Sequence, residues 1–205
     1  PRRSAIMDKV ALPNPPLRYL DTSMSMTFEI GRQVQDIVVN VLNEAGAAIT
    51  NWKCDSCGGV THKSMRPLNC GCGCRSFKPE EIRVRSSVSD ISCGIDVFAN
   101  LGEPKLRAVE IKTIAPEEFK KLIAPMWEHR VRTSLYLRCL AESDDPWKER
   151  VNTDMANVLY VSKGGYGTMD GTLAGWGIGD KFSPFKEFVI HRNDQETEPY
   201  VAQAI

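Results

Sequence analysis

The chain of 205 residues contains no run of about 18 apolar residues, which excludes a helical membrane span. Its first residues, Pro1-Arg2-Arg3-Ser4-Ala5-Ile6, lack the apolar stretch of a secretory signal, so the expected compartment is the cytoplasm, where thiols stay reduced. Surplus charge of either sign is missing too: 26 basic residues stand against 26 acidic ones. A protein that holds nucleic acid by sequence-blind attraction carries a basic excess, so that class is disfavoured. An enzyme with a locally basic groove is not. Internal repeats and long low-complexity tracts are absent as well. With 42% hydrophobic and 25% charged residues, what remains is the composition of one sizeable globular domain with room for a small insert.

Cysteine, by contrast, is plentiful and clustered. Cys54, Cys57, Cys70, Cys72 and Cys74 form one block, while Cys93 and Cys139 stand alone and read as buried structural thiols. Short spacing in a reducing compartment points to metal ligation rather than disulfides. Cys54-Asp55-Ser56-Cys57-Gly58-Gly59 has the form of a metal knuckle, with glycines freeing backbone amides to approach the sulfurs. The second half, Cys70-Gly71-Cys72-Gly73-Cys74, holds one thiol more than a closed tetrahedral zinc site requires. Cys54 and Cys57 are therefore expected ligands. Cys70 with either Cys72 or Cys74, or Cys72 with Cys74, would complete the set. His62 is a substitute ligand of lower rank, and an iron–sulfur cluster is the rival to zinc. Residues 51–77 read as a zinc-ribbon insert too small to bury much apolar surface, so that the metal would hold it folded.

Around the insert the chain reads as α/β or α+β. Residues 1–24, with Pro13, Pro15 and Pro16, form an expected extended arm. Ser25 to Glu44 is an expected helix whose Ile30, Val34, Ile37, Val38, Val41 and Leu42 recur at helical spacing and predict one buried stripe. Ala45-Gly46 is its stop. Glu81–Val88, Ile91–Phe98 and Leu106–Ile114 are expected strands, with a turn over Asn100–Pro104. Pro116 opens a short helix to about Ile123, and a longer one runs from Pro125 to Ala141. Asn157–Ser162 and Phe185–His191 are further strands, and the glycine-rich stretch from Gly164 to Gly179 has no assigned role. This order predicts a mixed central sheet flanked by helices, with residues 25–50 and 78–205 as the core.

The chemistry is expected on one hairpin. A turn near Glu103 sets Asp96 opposite Glu110, and directly opposed residues share a face with Cβ atoms about 5 Å apart. Lys112 lies two residues on and joins that face, while Val109 and Ile111 point away. Paired carboxylates repel unless a positive charge lies between them, and Mg²⁺ supplies that charge through oxygen ligands. Such a metal polarises a phosphodiester and lowers the pKa of bound water. Lys112 would then orient that water or stabilise charge on the phosphate. The competing reading is a solvated surface hairpin.

Four motifs in order carry a family resemblance: Gly31-Arg32-Gln33-Val34-Gln35, Gly94-Ile95-Asp96, Glu110-Ile111-Lys112, and the helix from His129 to Tyr136. The sequence resembles the RecB-type branch of the PD-(D/E)XK nucleases, which includes phage exonucleases and CRISPR-adaptation nucleases, from about Phe28 to Lys163. The resemblance implies a restriction-endonuclease-like fold and a DNA nuclease, an exonuclease of recombination or phage DNA processing. A phage-encoded copy would work in the bacterial host cell. It further implies Mg²⁺ or Mn²⁺ on Asp96, Glu110 and the main-chain carbonyl of Ile111, with Gln35 as a further candidate ligand. Lys112 would serve the water, and Tyr136, with Arg132 and His129 one and two turns back, would place the DNA strand. Two positions depart from the pattern. Gln35 stands where the family has a histidine, and Arg132 where it has glutamine, although a guanidinium grips phosphate well. Some members of that branch carry an iron–sulfur cluster, but on cysteines that flank the core rather than in one block. Lys53, Lys63 and Arg66 suit a solvated face, an extended DNA channel or a docking face for a partner protein. The alternative to an enzyme is a non-catalytic DNA-binding or assembly subunit that keeps the nuclease fold.

Overall fold

A computed structural model describes residues 22–163, 166–167, 173–174 and 185–202. Residues 1–21 of the expected N-terminal arm and most of the glycine-rich stretch lie outside the described residues, and the last three residues expected in the arm, Thr22 to Met24, open a helix instead. Helix α1 (Thr22–Glu44) ends where expected. Gly46 takes φ 70° there, and its amide and that of Ala47 cap the carbonyls of Asn43 and Leu42.

The chain then alternates between strands of two systems. They are β1 (Ala48–Cys54), β2 (Val60–Ser64), β3 (Phe77–Glu80), β4 (Ile82–Arg85), β5 (Ser92–Ile95), β6 (Val97–Ala99) and β7 (Leu106–Ile114). Helices α2 (Pro116–Lys121) and α3 (Trp127–Glu142) and a 3₁₀ turn (Pro146–Glu149) lead to β8 (Val151–Ser162). A small ribbon of β9 (Tyr166–Gly167) and β10 (Leu173–Ala174), then β11 (Phe185–His191) and α4 (Asp194–Ala202), complete the described elements. The central sheet runs β11-β8-β7-β6-β1-β2, with β3 added on β1. Among the described strands only β7 and β8 pair in parallel, because α2 and α3 carry the chain back across the sheet between them. Strands β4 and β5 form a separate antiparallel ribbon. The fold is mixed α+β, a mixed sheet with helices on both faces and a cysteine cluster at one end.

Period-two alternation along β7 decides which residues face which helix. Val109 and Ile111 join Val38, Val39, Trp52 and Val97 beneath α1. Ala108 packs on the other side with Phe98, Leu137 and Leu140 of the α3 layer. Glu110 and Lys112, in step with Ala108, therefore point to the α3 side.

Several expectations need correction. The strand expected over Glu81–Val88 is only Ile82–Arg85, and the strand expected from Asn157 begins at Val151. The apolar stripe of α1 is turned: Val38 and Val39 are buried and Val34 and Leu42 pack beside them, but Ile30, Ile37 and Val41 are exposed. Gly31 is what approaches the sheet, where a Cβ would come within 3.0 Å of the Thr113 hydroxyl. That rotation carries Gln35 inward. The strand expected over Ile91–Phe98 is two strands, broken at Asp96, because β5 pairs with β4 while β6 pairs with β7 and β1.

Candidate active site and cysteine centre

The change of partner at Asp96 builds the site. Pairs Val97↔Val109, Phe98↔Ala108 and Ala99↔Arg107 fix the β6–β7 register, and one further step sets Asp96 across from Glu110. Beyond that step β6 no longer covers β7, so the Ile111 amide has no strand partner on that side. It donates instead to Asp96 Oδ2 at 2.7 Å. Gln35 Nε2 donates to Asp96 Oδ1, also at 2.7 Å. The Thr50 hydroxyl, at the middle of β1, lies 2.9 Å from the Asp96 carbonyl and 3.0 Å from that of Glu80, and so pins the bend.

Both acids are buried, Asp96 to 7% exposure and Glu110 to 4%. Lys112 pairs with Glu110 Oε1, and the Tyr136 hydroxyl donates to the same oxygen at 3.4 Å. Burial pushes the Asp96 carboxyl well above its usual value and the Glu110 charge adds to this, against the Ile111 amide and Lys112. Burial and the Glu110 carboxylate also raise the Tyr136 phenol, which stays protonated and able to donate. His129 Nδ1 lies 2.8 Å from the Tyr160 hydroxyl, which accepts from the Met126 amide. Burial, then Lys112 and Arg132, lower His129 to about 4, so it is neutral at pH 7. Arg132 is exposed and has no ion pair with another described residue.

The structure thus brings Asp96, Glu110, Lys112, Gln35 and Tyr136 into one cluster, with His129 and Arg132 on the α3 turns beside it. Two buried carboxylates served by one ammonium leave a site short of positive charge. The oxygen-rich donor set suits a hard divalent cation. Thr50 escaped the sequence reading because nothing local marks a buried threonine. β1 is buried at nearly every position, so no alternation sets Thr50 apart from its neighbours.

Four thiols, of Cys54, Cys57, Cys70 and Cys72, stand with their sulfurs all within 4.8 Å of one another. Contacts of 3.6 Å between Cys54 and Cys72 and 3.5 Å between Cys57 and Cys70 approach the edge of a tetrahedron of thiolates about 2.3 Å from a metal. The first knuckle closes through Gly58, at φ 71°, whose amide donates to the Cys54 carbonyl, and through the Gly59 amide, 3.4 Å from the Cys57 sulfur. Amides of Cys57 and Ser56 help hold the Cys54 thiol down at about 6, while hydrogen bonds with Cys70, Cys54 and Cys72 push the Cys57 thiol up to about 12, so Cys54 is the first of the two to become a thiolate. Cys74 is left out of the cluster: its sulfur accepts from the Ser76 amide at 3.3 Å, and its carbonyl holds the second knuckle by accepting from the Cys70 amide. His62 is not in the cluster either. Cys93 and Cys139 are buried in the α3-side core.

The cysteine centre is not a separate bead. β1 pairs with β6 through Ala48 and Ile49 and with β3 through Asn51 to Cys54, so one strand joins the thiols to the central sheet. Among the described residues no helix is long and apolar enough to cross a membrane. Among known proteins, no family model matches the chain, and no curated protein matches it.

Proposed function

We propose that the protein is a divalent-metal-dependent deoxyribonuclease of the PD-(D/E)XK class, an exonuclease of the RecB-type branch, carrying a structural zinc ribbon. The observation that carries this reading is the buried pair Asp96 and Glu110, close enough for the Glu110 charge to act on the Asp96 carboxyl, beside Lys112. The four motifs that resemble that branch support DNA as substrate.

Asp96 and Glu110 would hold Mg²⁺ or Mn²⁺, with the Ile111 carbonyl as a third ligand. When bound, the cation supplies Lewis-acid polarisation of the phosphate and a lowered pKa for the attacking water. Lys112 orients that water and donates to the phosphate oxygen on which charge develops. Gln35 and the Ile111 amide fix the Asp96 carboxylate, so it needs no reordering when substrate arrives. Tyr136 stays protonated and offers its hydroxyl proton to the phosphodiester. Zn²⁺ on Cys54, Cys57, Cys70 and Cys72 would hold the ribbon folded, a structural role with no open position.

The direct test is incubation of end-labelled single- and double-stranded DNA with Mg²⁺ or Mn²⁺. Wild type degrades one or both, and Glu110→Ala does not. A wild type that leaves both intact with either ion favours the non-catalytic DNA-binding or assembly subunit, the reading suggested by Gln35 standing where the family has a histidine.

Two further outcomes follow from the raised Asp96 pKa. Protons and the cation compete for one carboxylate, so kcat/KM rises with pH through that pKa, and more Mg²⁺ moves the acid limb to lower pH. A pH–rate series at two Mg²⁺ concentrations checks this. Without the cation the ionised Asp96 is a liability. A raised folded-state pKa gives stability that is fully present below the ordinary carboxylate value and is lost as pH rises through the folded one. Asp96→Asn removes the charge, and a flipped Gln35 amide preserves both hydrogen bonds. In Mg²⁺-free buffer at neutral pH the variant is expected to gain about 1 kcal/mol or more, a Tm rise of roughly 2–4 °C, with the difference vanishing near pH 4.

A further inference from the structure

Beside the carboxylate pair, between the β4–β5 ribbon and α3, lies a cleft of about 460 Å³. Its floor and walls are flat or apolar: Ile91, Cys93, Trp127, Val131, Leu135 and Tyr136. Resting on the nuclease reading above, we infer that this cleft is a base pocket, which takes one unpaired nucleotide of the strand whose phosphodiester lies at Asp96 and Glu110.

The cleft is continuous with the site. Tyr136 forms its wall and reaches Glu110, and Gly94, two residues before Asp96, lines it as well. A Cβ at Gly94 would meet the end of the Glu81 side chain, which would have to swing aside. At the mouth, Trp127 opens α3 and is 54% exposed, an unusual placement for the largest apolar side chain and a ready stacking surface. Tyr200 of α4 lies on the same cleft.

Charge is arranged to match a nucleotide rather than a peptide or a lipid. Arg132 and Arg83 flank the apolar floor, Arg132 with no ion pair to a described residue and Arg83 no closer than 3.8 Å to Glu81. Guanidinium groups on either side suit the phosphates before and after a seated base. Glu128 is the one acid on the cleft wall among the described residues, and a carboxylate accepts from the amino edge of a base. A duplex cannot use such a cleft, because paired and stacked bases keep their ring faces covered. A single strand can, and so can a frayed end.

The test needs no cleavage. In Mg²⁺-free buffer at fixed salt, the full-length chain is titrated into a fluorescein-labelled oligonucleotide of about 12 nucleotides and into a blunt duplex of equal length. A parallel single strand carries 2-aminopurine, whose emission falls when the base stacks. Wild type is expected to bind the single strand more tightly than the duplex and to quench 2-aminopurine. Trp127→Ala is expected to weaken single-strand binding roughly 5- to 100-fold and abolish the quench while leaving duplex binding unchanged. Arg132→Ala weakens single-strand binding but keeps the quench. Both side chains are exposed, so neither change threatens the fold. Equal losses on duplex and single strand, a bright 2-aminopurine with wild type, or no binding of nucleic acid at all would overturn the inference. A Trp127-dependent quench in a protein that never cleaves DNA would sustain the pocket and remove the nuclease. Cleavage undiminished by Trp127→Ala would do the reverse.

Discussion

Cys72→Ser is expected to empty the thiol centre and unfold the ribbon, whereas Cys74→Ser leaves both intact. Only Cys72 belongs to the cluster of four sulfurs, and Cys74 accepts a hydrogen bond from its neighbour Ser76 instead. Structural zinc in small ribbons binds with an apparent free energy of about 10–16 kcal/mol, and nearly all of it is folding free energy. Here the loss reaches further than the ribbon. Trp52, fully buried on β1, donates to the Ser64 carbonyl and sits under Arg66 at 5.9 Å. Thr50, two residues earlier, pins Asp96. Elemental analysis should read one metal per chain in wild type and Cys74→Ser and none in Cys72→Ser. The same measurement distinguishes zinc from iron. Tryptophan emission should shift to the red in Cys72→Ser alone, with a weaker loss of DNA cleavage as Asp96 loosens. Metal retained by Cys72→Ser, or lost from Cys74→Ser, would refute the assignment of ligands.

Lys112→Met is expected to lower kcat by on the order of 10²- to 10⁴-fold with little change in KM. Among the described residues, Lys112 provides the ammonium that pairs with Glu110. An interaction made with charge that develops only in the transition state appears in kcat, not in ground-state binding. Methionine keeps the length and apolar stem of lysine, so packing under α3 persists. Single-turnover cleavage with saturating enzyme reads the chemical step directly. A loss below about threefold would assign Lys112 to balancing the Glu110 charge and nothing more.

The hairpin was legible in the sequence because two independent signals agreed there. Alternation through Ala108-Val109-Glu110-Ile111-Lys112 fixes the face, and turn residues between Asn100 and Pro104 fix the register. The strands Leu106–Ile114 and Phe185–His191 have the bounds that alternation and flanking breakers indicate. α1 was less legible. Its apolar residues surround much of the helix, so periodicity could not say which stripe is buried, and Gly31 made the choice by allowing close approach to Thr113. The bend at Asp96 was hidden because each half of Ile91–Phe98 reads as strand, and only tertiary pairing reveals that the halves have different partners. Cys70, Cys72 and Cys74 are equivalent by spacing. The turn at Gly73, with φ 85°, separates them by turning the last sulfur toward Ser76. The helix Asp194–Ala202 is not legible in the sequence, since Pro199 inside it argues for a loop.

Everything chemical depends on Asp96 and Glu110 sharing one cation. Titration of Mn²⁺ into the protein with its thiol centre filled, followed by electron paramagnetic resonance near pH 8, counts that cation without any substrate. One bound Mn²⁺ per chain in wild type, lost in both Asp96→Asn and Glu110→Gln and retained in Lys112→Met, is the predicted result. Wild-type protein that binds no Mn²⁺, or variants that bind it as wild type does, would contradict the account.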